Sequence, residues 1–278
     1  MAFGRIVELT IGPPGGGVGK LIKDLRIAFF VQKTDEESAN KAQIEIYNLS
    51  DNSALEIGKA KNNVVLRTGY QDEGGAKNLF FGEVSTAVYK KETPETKLEI
   101  TAFDGQSNIQ EKNVSVSYGP GTTVQQIFNN LLSIFGLPLS NAGLVLSGAY
   151  ANGYAFVGKA KDAITEVLSF AGKTWTIQNQ QLTVISPGES VARTGLLISP
   201  STGLLNTPEP LDDVDDDATK EIPKRYKVRS LLFPQMVPGA EIQVESSIVN
   251  GTFRVETVEF TGDNFEGSFT AEAEVVQI

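Results

Sequence analysis

Two stretches of this 278-residue chain carry residue types at spacings that chemistry uses. Gly12-Pro13-Pro14-Gly15-Gly16-Gly17-Val18-Gly19-Lys20 imitates a phosphate-cradling loop. The first glycine of G-x-x-x-x-G-K-[ST] falls on Pro14, however, and the hydroxyl that would ligate Mg²⁺ falls on Leu21. Behind the loop, Leu25, Ile27, Phe29 and Val31 alternate with Arg26, Ala28, Phe30 and Gln32. That alternation predicts a strand where a phosphate site needs a helix N-terminus, so the stretch reads as a flexible strand-to-strand loop. The second stretch is acidic, with Asp213, Asp215 and Asp217 at the first, third and fifth positions of a calcium-binding EF-hand loop. Its sixth position is Ala218 where the turn needs Gly, and its twelfth is Lys224 where a bidentate Glu belongs. The run Glu209 to Lys220 reads as a solvated loop.

What the chain lacks narrows its chemistry further. It contains neither histidine nor cysteine. Disulfides, thiolate zinc sites, Fe–S clusters and thiol nucleophiles are thereby excluded, and so are the Ser-His-Asp arrangement and the commonest metal ligand. Carboxylate, Lys, Ser, Thr and Tyr chemistry remains. With 34 acidic residues a carboxylate pair can always be nominated, which leaves that signal without specificity. No catalytic, cofactor-binding or metal-binding residue is assigned, and no cofactor is expected.

The net charge of −10 argues against a phosphate-backbone binder, which needs a clustered Lys/Arg face. No specific nucleic-acid binding is expected. Met1-Ala2-Phe3-Gly4-Arg5 lacks the apolar core of a signal peptide, and no apolar run of about 18 residues occurs. The expectation is a soluble protein made in a cytoplasm, without membrane insertion.

The elements that position these residues follow from periodicity. Ala42, Ile44 and Ile46 alternate with Gln43, Glu45 and Tyr47, which predicts a half-buried strand. Asn48 and Ser50 end it, Ser50 capping a short turn through Ala54 to Gly58. Strands are also expected at Arg5 to Ile11, at Val64 to Tyr70 paired with Leu79 to Val84 around the turn Gln71 to Asn78, and at Lys97 to Phe103. Residues 3 to 105 are thus mostly β, and an antiparallel barrel or sandwich is their natural closure.

The middle third changes period. Thr122 or Thr123 could cap a helix with Val124, Ile127, Phe128, Leu131, Leu132 and Phe135 on one face, stopped by Gly136 and Pro138. A second helix is predicted from Lys159 to Ala171, stopped by Gly172, and a compact hairpin pairs Thr174 to Gln178 with Gln181 to Ile185. Trp175 belongs to the core of this lobe rather than to a ligand platform. The last third returns to β, with strands at Gly195 to Pro200, Arg225 to Phe233, Glu241 to Ser246, Thr252 to Phe260 and Phe265 to Val275. The expected class is mainly β with a central α+β domain. The domains are 1–105, 106–192 and 193–278, with the acidic loop 209–220 in the last.

The outer lobes share a faint repeat. Leu79 to Val84, a polar turn and Lys97 to Ala102 parallel Gly251 to Val258, the turn Gly262-Asp263-Asn264 and Ser268 to Glu272.

Ala42 to Ser50, Gly69-Tyr70, Phe81-Gly82-Glu83-Val84 and Ala102-Phe103-Asp104-Gly105 together resemble the opening tube domain of the baseplate hub proteins of phages and R-type pyocins, the late-protein-D-like tail hubs. Phe156 to Ala160 and Gly172 to Ile177 resemble their middle domain. Thr202 to Pro208 and Ser230 to Gly239 resemble the return into their second tube domain. The likeness covers nearly the whole chain, and its force lies in the order of short motifs. The acidic insert Glu209 to Lys220 is longer than the pattern suggests, and Phe260 stands where many relatives carry His.

The resemblance implies two antiparallel β-barrel tube-type domains per chain, in a trimeric ring that adapts a sixfold tail tube to a threefold spike. Its implied partners are further copies of itself, a tail tube or tube-initiator protein, the spike and the tape-measure protein. The ring would sit in the virion tail baseplate, be assembled in the host cytoplasm, and line the channel for DNA. Two other classes compete: a peptidoglycan-degrading tail enzyme using paired carboxylates, and a receptor-binding β module.

Overall fold

The protein is described by a computed structural model that covers residues 4–15, 17–92, 94–141, 143–186, 188–211 and 224–278. Its elements open with β1 (Arg5–Gly12), β2 (Lys20–Ile22), β3 (Ile27–Thr34), β4 (Lys41–Tyr47), α1 (Asp51–Ile57), β5 (Asn63–Tyr70), β6 (Gly75–Glu92) and β7 (Glu95–Phe103). The middle comprises α2 (Gln106–Glu111), β8 (Asn113–Tyr118), β9 (Thr122–Thr123), α3 (Val124–Phe135), β10 (Ala149–Tyr150), β11 (Tyr154–Lys159), α4 (Ala160–Phe170), β12 (Thr174–Ile177) and β13 (Leu182–Ile185). The chain closes with β14 (Ala192–Ile198), β15 (Glu209–Leu211), β16 (Arg225–Leu231), β17 (Ala240–Glu245), β18 (Asn250–Asp263) and β19 (Phe269–Gln277). The protein is mainly β, as its alternating patterns predict.

Two compact units result. One holds residues 1–34, 41–103 and 190–278; the other holds 35–40 and 104–189.

In the first unit a single 13-stranded sheet runs β15-β16-β19-β18-β3-β4-β7-β6-β5-β1-β2, with β17 joining β18 and β14 joining β17. Period two decides its faces. Ile27, Phe29 and Val31 of β3, Ala42, Ile44 and Ile46 of β4, and Leu98, Ile100 and Ala102 of β7 are buried on one side. Val228, Val255, Phe260, Ala271 and Ala273 continue the same core from the C-terminal strands. The other side carries polar residues at the intervening positions, as antiparallel sheets with one covered face do. Ser50 caps α1 by accepting from the Ser53 amide, and Ala54 and Ile57 turn into the core.

The second unit is built on α3 and α4. Thr123 and Gln126 form a reciprocal capping box, and Gly136 ends α3 at φ 86°. Val124, Ile127, Phe128, Leu131 and Phe135 meet Ala163, Ile164, Val167 and Leu168 of α4. Trp175 is fully buried among them, edge-on to Phe135 at 5.8 Å, and its indole N–H donates to Thr165 Oγ1 at 2.9 Å. The β12–β13 turn places Asn179 and Gln180 at positive φ, the conformation a two-residue hairpin of this hand requires. The buried Asp104 carboxylate holds that turn by accepting from the Asn179 and Gln180 amides at 2.6 and 2.8 Å.

Several elements differ from the sequence expectation. The first hairpin turn is Gln71 to Gly74 rather than Gln71 to Asn78, because β6 begins at Gly75 and continues to Glu92. The last strand starts at Phe269 rather than Phe265, since Asp263 accepts from the Phe265 and Glu266 amides and turns the chain there. Helix α2 and the pair β8–β11 were not predicted.

Candidate functional site

The Gly12 to Lys20 stretch connects β1 to β2 as a hairpin, with Ile11 opposite Lys20 and Leu9 opposite Ile22. No helix follows it; Lys20 Nζ donates to Ser53 Oγ. A strand-to-strand loop therefore stands where a phosphate site would need a helix N-terminus. Asp213, Asp215, Asp217 and Ala218 lie outside the described residues, as does most of the run Glu209 to Lys220. Among the described residues no group of three or more acidic side chains could hold a metal ion. No described helix is long and apolar enough to cross a membrane.

Among the described residues, the features capable of recognition in the first unit are a sheet face and a junction. The face is read from register. Glu274, Glu272 and Thr270 of β19 stand opposite Thr257, Glu259 and Thr261 of β18, which stand opposite Thr34, Gln32 and Phe30 of β3. Gln43 and Glu45 of β4 continue the rows from Phe30 and Ala28 into Thr101 and Glu99 of β7, and then into Thr86 and Val88 of β6. Directly opposite residues share a side of the sheet, so these form one continuous face. The face dips into a hollow of about 680 Å³ where β18, β3, β4 and β7 meet.

Three of its lysines are paired with glutamates. Lys97 bridges Glu99 at 2.7 Å and Glu45 at 3.3 Å, Lys90 reaches Glu99 at 2.8 Å, and Lys227 reaches Glu272 at 2.8 Å. Hydrogen bonds from Lys90 and Lys97 hold the Glu99 carboxyl below the usual carboxylate range, and bonding to Glu99 and Glu45 raises Lys97. The small stability from the depressed Glu99 is present at neutral pH and lost as pH falls through its folded value. By contrast, residues 212–223 hold six carboxylates and one lysine, half of the net charge of −10.

The junction joins the two β lobes. Seven residue pairs of β18 and β3, from Thr257–Thr34 to Asp263–Ala28, link segments more than 220 positions apart in sequence. Arg26 ion-pairs with Asp263 at 2.9 Å and Glu266 at 3.0 Å while lying over the Tyr47 ring at 4.8 Å. Asn264 accepts from the Ile27 amide at 2.8 Å and donates to the Leu25 carbonyl at 2.8 Å. Beneath, Phe269 meets Phe29 and Tyr70 edge-on at 6.1 and 5.4 Å. Phe29 lies against Gly262, where an added Cβ would stand 2.2 Å from the ring Cζ. Gly262→Ala is expected to cost about 1–3 kcal/mol through overpacking. Denaturant midpoints measure this, and an unchanged midpoint would show that the ring is not seated there.

The lobes repeat one strand order. Lobe one runs β3-β4-β7-β6-β5-β1, and lobe two runs β15-β16-β19-β18-β17-β14. In each, a three-strand meander (β5-β6-β7, β17-β18-β19) is flanked by the strand preceding it in sequence, which pairs with the meander's last strand. The middle strand carries a bulge at the matching place, after Val84 in β6 and after Val255 in β18. One difference is that β14 runs parallel to β17, whereas β1 is antiparallel to β5. The faint hairpin repeat of the sequence is thus part of a six-strand repeat.

No described protein family matches the chain, and no curated sequence does. Solved structures do. The 43 kDa tail protein of prophage MuSo2 from Shewanella oneidensis matches at TM-score 0.70 and 10% identity, over 98% of each chain. A tail protein from Neisseria meningitidis matches at TM-score 0.66 and 12% identity, over 99% of this chain and 97% of that one. An E. coli component of the type VI secretion system, described as structurally similar to bacteriophage T4 tail proteins, matches at TM-score 0.62 and 12% identity, over 97% of this chain and 76% of that one. The chain has the fold of phage tail proteins.

Proposed function

We propose that the protein is the structural hub of a phage tail baseplate, three copies forming a ring around a channel. The observation that carries this reading is the six-strand repeat joined edge to edge within one subunit. Each lobe, residues 1–105 and 193–278, acts as one tube-type β domain, and 106–192 is the α+β spacer between them. Three subunits then offer six similar modules, so one side fits a sixfold tube or tube initiator and the other a threefold spike. Similarity of fold to phage tail proteins supports that setting. The place of action is the virion tail baseplate, with assembly in the host cytoplasm.

The polar sheet face is the part of each module that lines the channel. A passing polyanion is held through uncompensated Lys and Arg that release its counterions. Here Lys90, Lys97 and Lys227 are already engaged by glutamates, which leaves Arg229 as a cation of these rows without an ion pair among the described residues and weakens adsorption of DNA and the tape-measure protein as they pass. Glycoside hydrolysis needs one carboxyl kept protonated beside one ionised, and Glu99, held ionised by two lysines, could fill only the second of these roles. No turnover of purified peptidoglycan is expected.

Native mass measurement with and without the spike protein tests the hub. Assemblies of three copies are expected. A chain that stays monomeric in every mixture overturns the reading.

A further inference from the structure

One side of the second unit carries a run of aromatic rings with no role in a ring of three copies. Tyr150 stacks on Phe170 at 4.4 Å between centroids and meets Tyr154 at 4.9 Å, while Tyr154 lies against Tyr118 at 6.4 Å and Phe156 at 6.5 Å. Strand register assembles part of it. β11 sets Tyr154 opposite Tyr118 of β8 and two residues before Phe156, so these three share one side of the ribbon. Phe170 is the last residue of α4, one turn after Glu166. It is 55% exposed although Tyr150 covers one of its faces, which leaves the other face to solvent.

Within the run two polar groups go unmet. The hydroxyls of Tyr150 and Tyr154 are shielded from solvent and make no hydrogen bond among the described residues, and Tyr154 as a whole is 6% exposed. The Tyr118 hydroxyl, by contrast, donates to Asn130 Oδ1 at 2.7 Å. Burial, and then Glu166, holds both unmet phenols above the usual tyrosine range, so each stays an O–H donor at neutral pH. Buried hydroxyls ordinarily have partners, because an unpaired one gives up its hydration for nothing.

We propose that this run is a binding site for a neutral oligosaccharide, whose pyranose rings stack against Phe170 and whose hydroxyls supply the partners that Tyr150 and Tyr154 lack. Because both hydroxyls are shielded in the free chain, binding includes a rotation of Phe170 off Tyr150, which its exposed position at the helix end permits.

The chemistry selects this class. Polarised C–H groups on a sugar face meet the negative face of an aromatic ring, and sugar hydroxyls both donate and accept. An apolar side chain in the same place leaves both tyrosine hydroxyls unpaired. A nucleobase also stacks, but single strands are held by a positively charged groove, whereas the ionised side chain that both tyrosines feel is the carboxylate of Glu166.

The full-length protein is titrated with maltotriose, with the N-acetylglucosamine trimer and with oligothymidylate, and binding is read by saturation-transfer NMR. Saturable binding of at least one sugar, and none of the oligonucleotide, is expected. Phe170→Ala removes the stacking face and is expected to abolish binding. Tyr154→Phe keeps the ring and deletes the hydroxyl, and is expected to weaken binding about fivefold to tenfold, the worth of one net hydrogen bond. The thermal midpoint of the free Tyr154→Phe protein is expected to stay the same or rise. That second readout separates a ligand contact from a structural one, since deleting a hydroxyl already paired in the free chain lowers the midpoint. Should Phe170→Ala misfold by circular dichroism, Phe170→Leu keeps the apolar bulk without the ring face. A parent protein that binds neither sugar, binding left unchanged by either substitution, a lowered midpoint for Tyr154→Phe, or capture of the oligonucleotide overturns the site. None of these outcomes bears on the number of copies in the assembly, which the mass measurement reads.

Discussion

Ile46→Asp is expected to abolish the cooperative unfolding of the first unit and to leave the protein poorly soluble. Ile46 is fully buried in β4, the strand between β3 and β7, where it faces Ile27 and Leu98. Replacing it removes about 2–3 kcal/mol of apolar burial and adds several more for a carboxylate with no partner in a hydrocarbon setting. The sum exceeds the roughly 5 kcal/mol that marks an exceptional single substitution and is comparable to the stability of a typical domain. Thermal melts followed by circular dichroism decide it. A variant that melts cooperatively and stays soluble would contradict the placement of this strand.

The second large effect belongs to the other unit. Phe135→Ala removes a fully buried ring in edge contact with Trp175, and a cost of about 3–5 kcal/mol is expected from lost burial plus the cavity left behind. Trp175 is the only tryptophan, so its fluorescence reports this unit alone. The emission change should move to markedly lower denaturant. A midpoint within experimental error of the parent would show that Phe135 does not pack on the indole.

How legible this was from the residues varies by element, for physical reasons. Ala42 to Tyr47 alternates cleanly because one face of β4 is core and the other is not. Helix α3 announces itself through Thr123, the apolar positions and Gly136. Helix α2 does not, since Gln106 to Glu111 is polar apart from Ile109. Strand β8 does alternate, Val114, Val116 and Tyr118 against Ser115 and Ser117, and was legible though not predicted, whereas the adjacent Phe156 and Val157 and then Gly158 blur the pattern in β11. The length of β6 was hidden by its bulge, where one extra residue throws period two out of phase.

The candidate face was legible only in part. Alternation shows that Gln43, Glu45, Lys97 and Glu99 point away from the core, yet nothing in it names β18 as the neighbour of β3. That choice depends on edges brought together by the whole fold. The hairpin repeat is visible as a pattern, but the shared strand order needs the pairing itself. The two imitations of chemistry, Gly12 to Lys20 and the Asp213 run, failed on single residues whose roles are chemically exacting.

The most direct measurement is electron microscopy of the assembled particle. The account predicts a closed ring of three chains with an open centre and six similar β modules around it, two from each chain. A particle showing one such module per chain, or modules that do not border a channel, would contradict it.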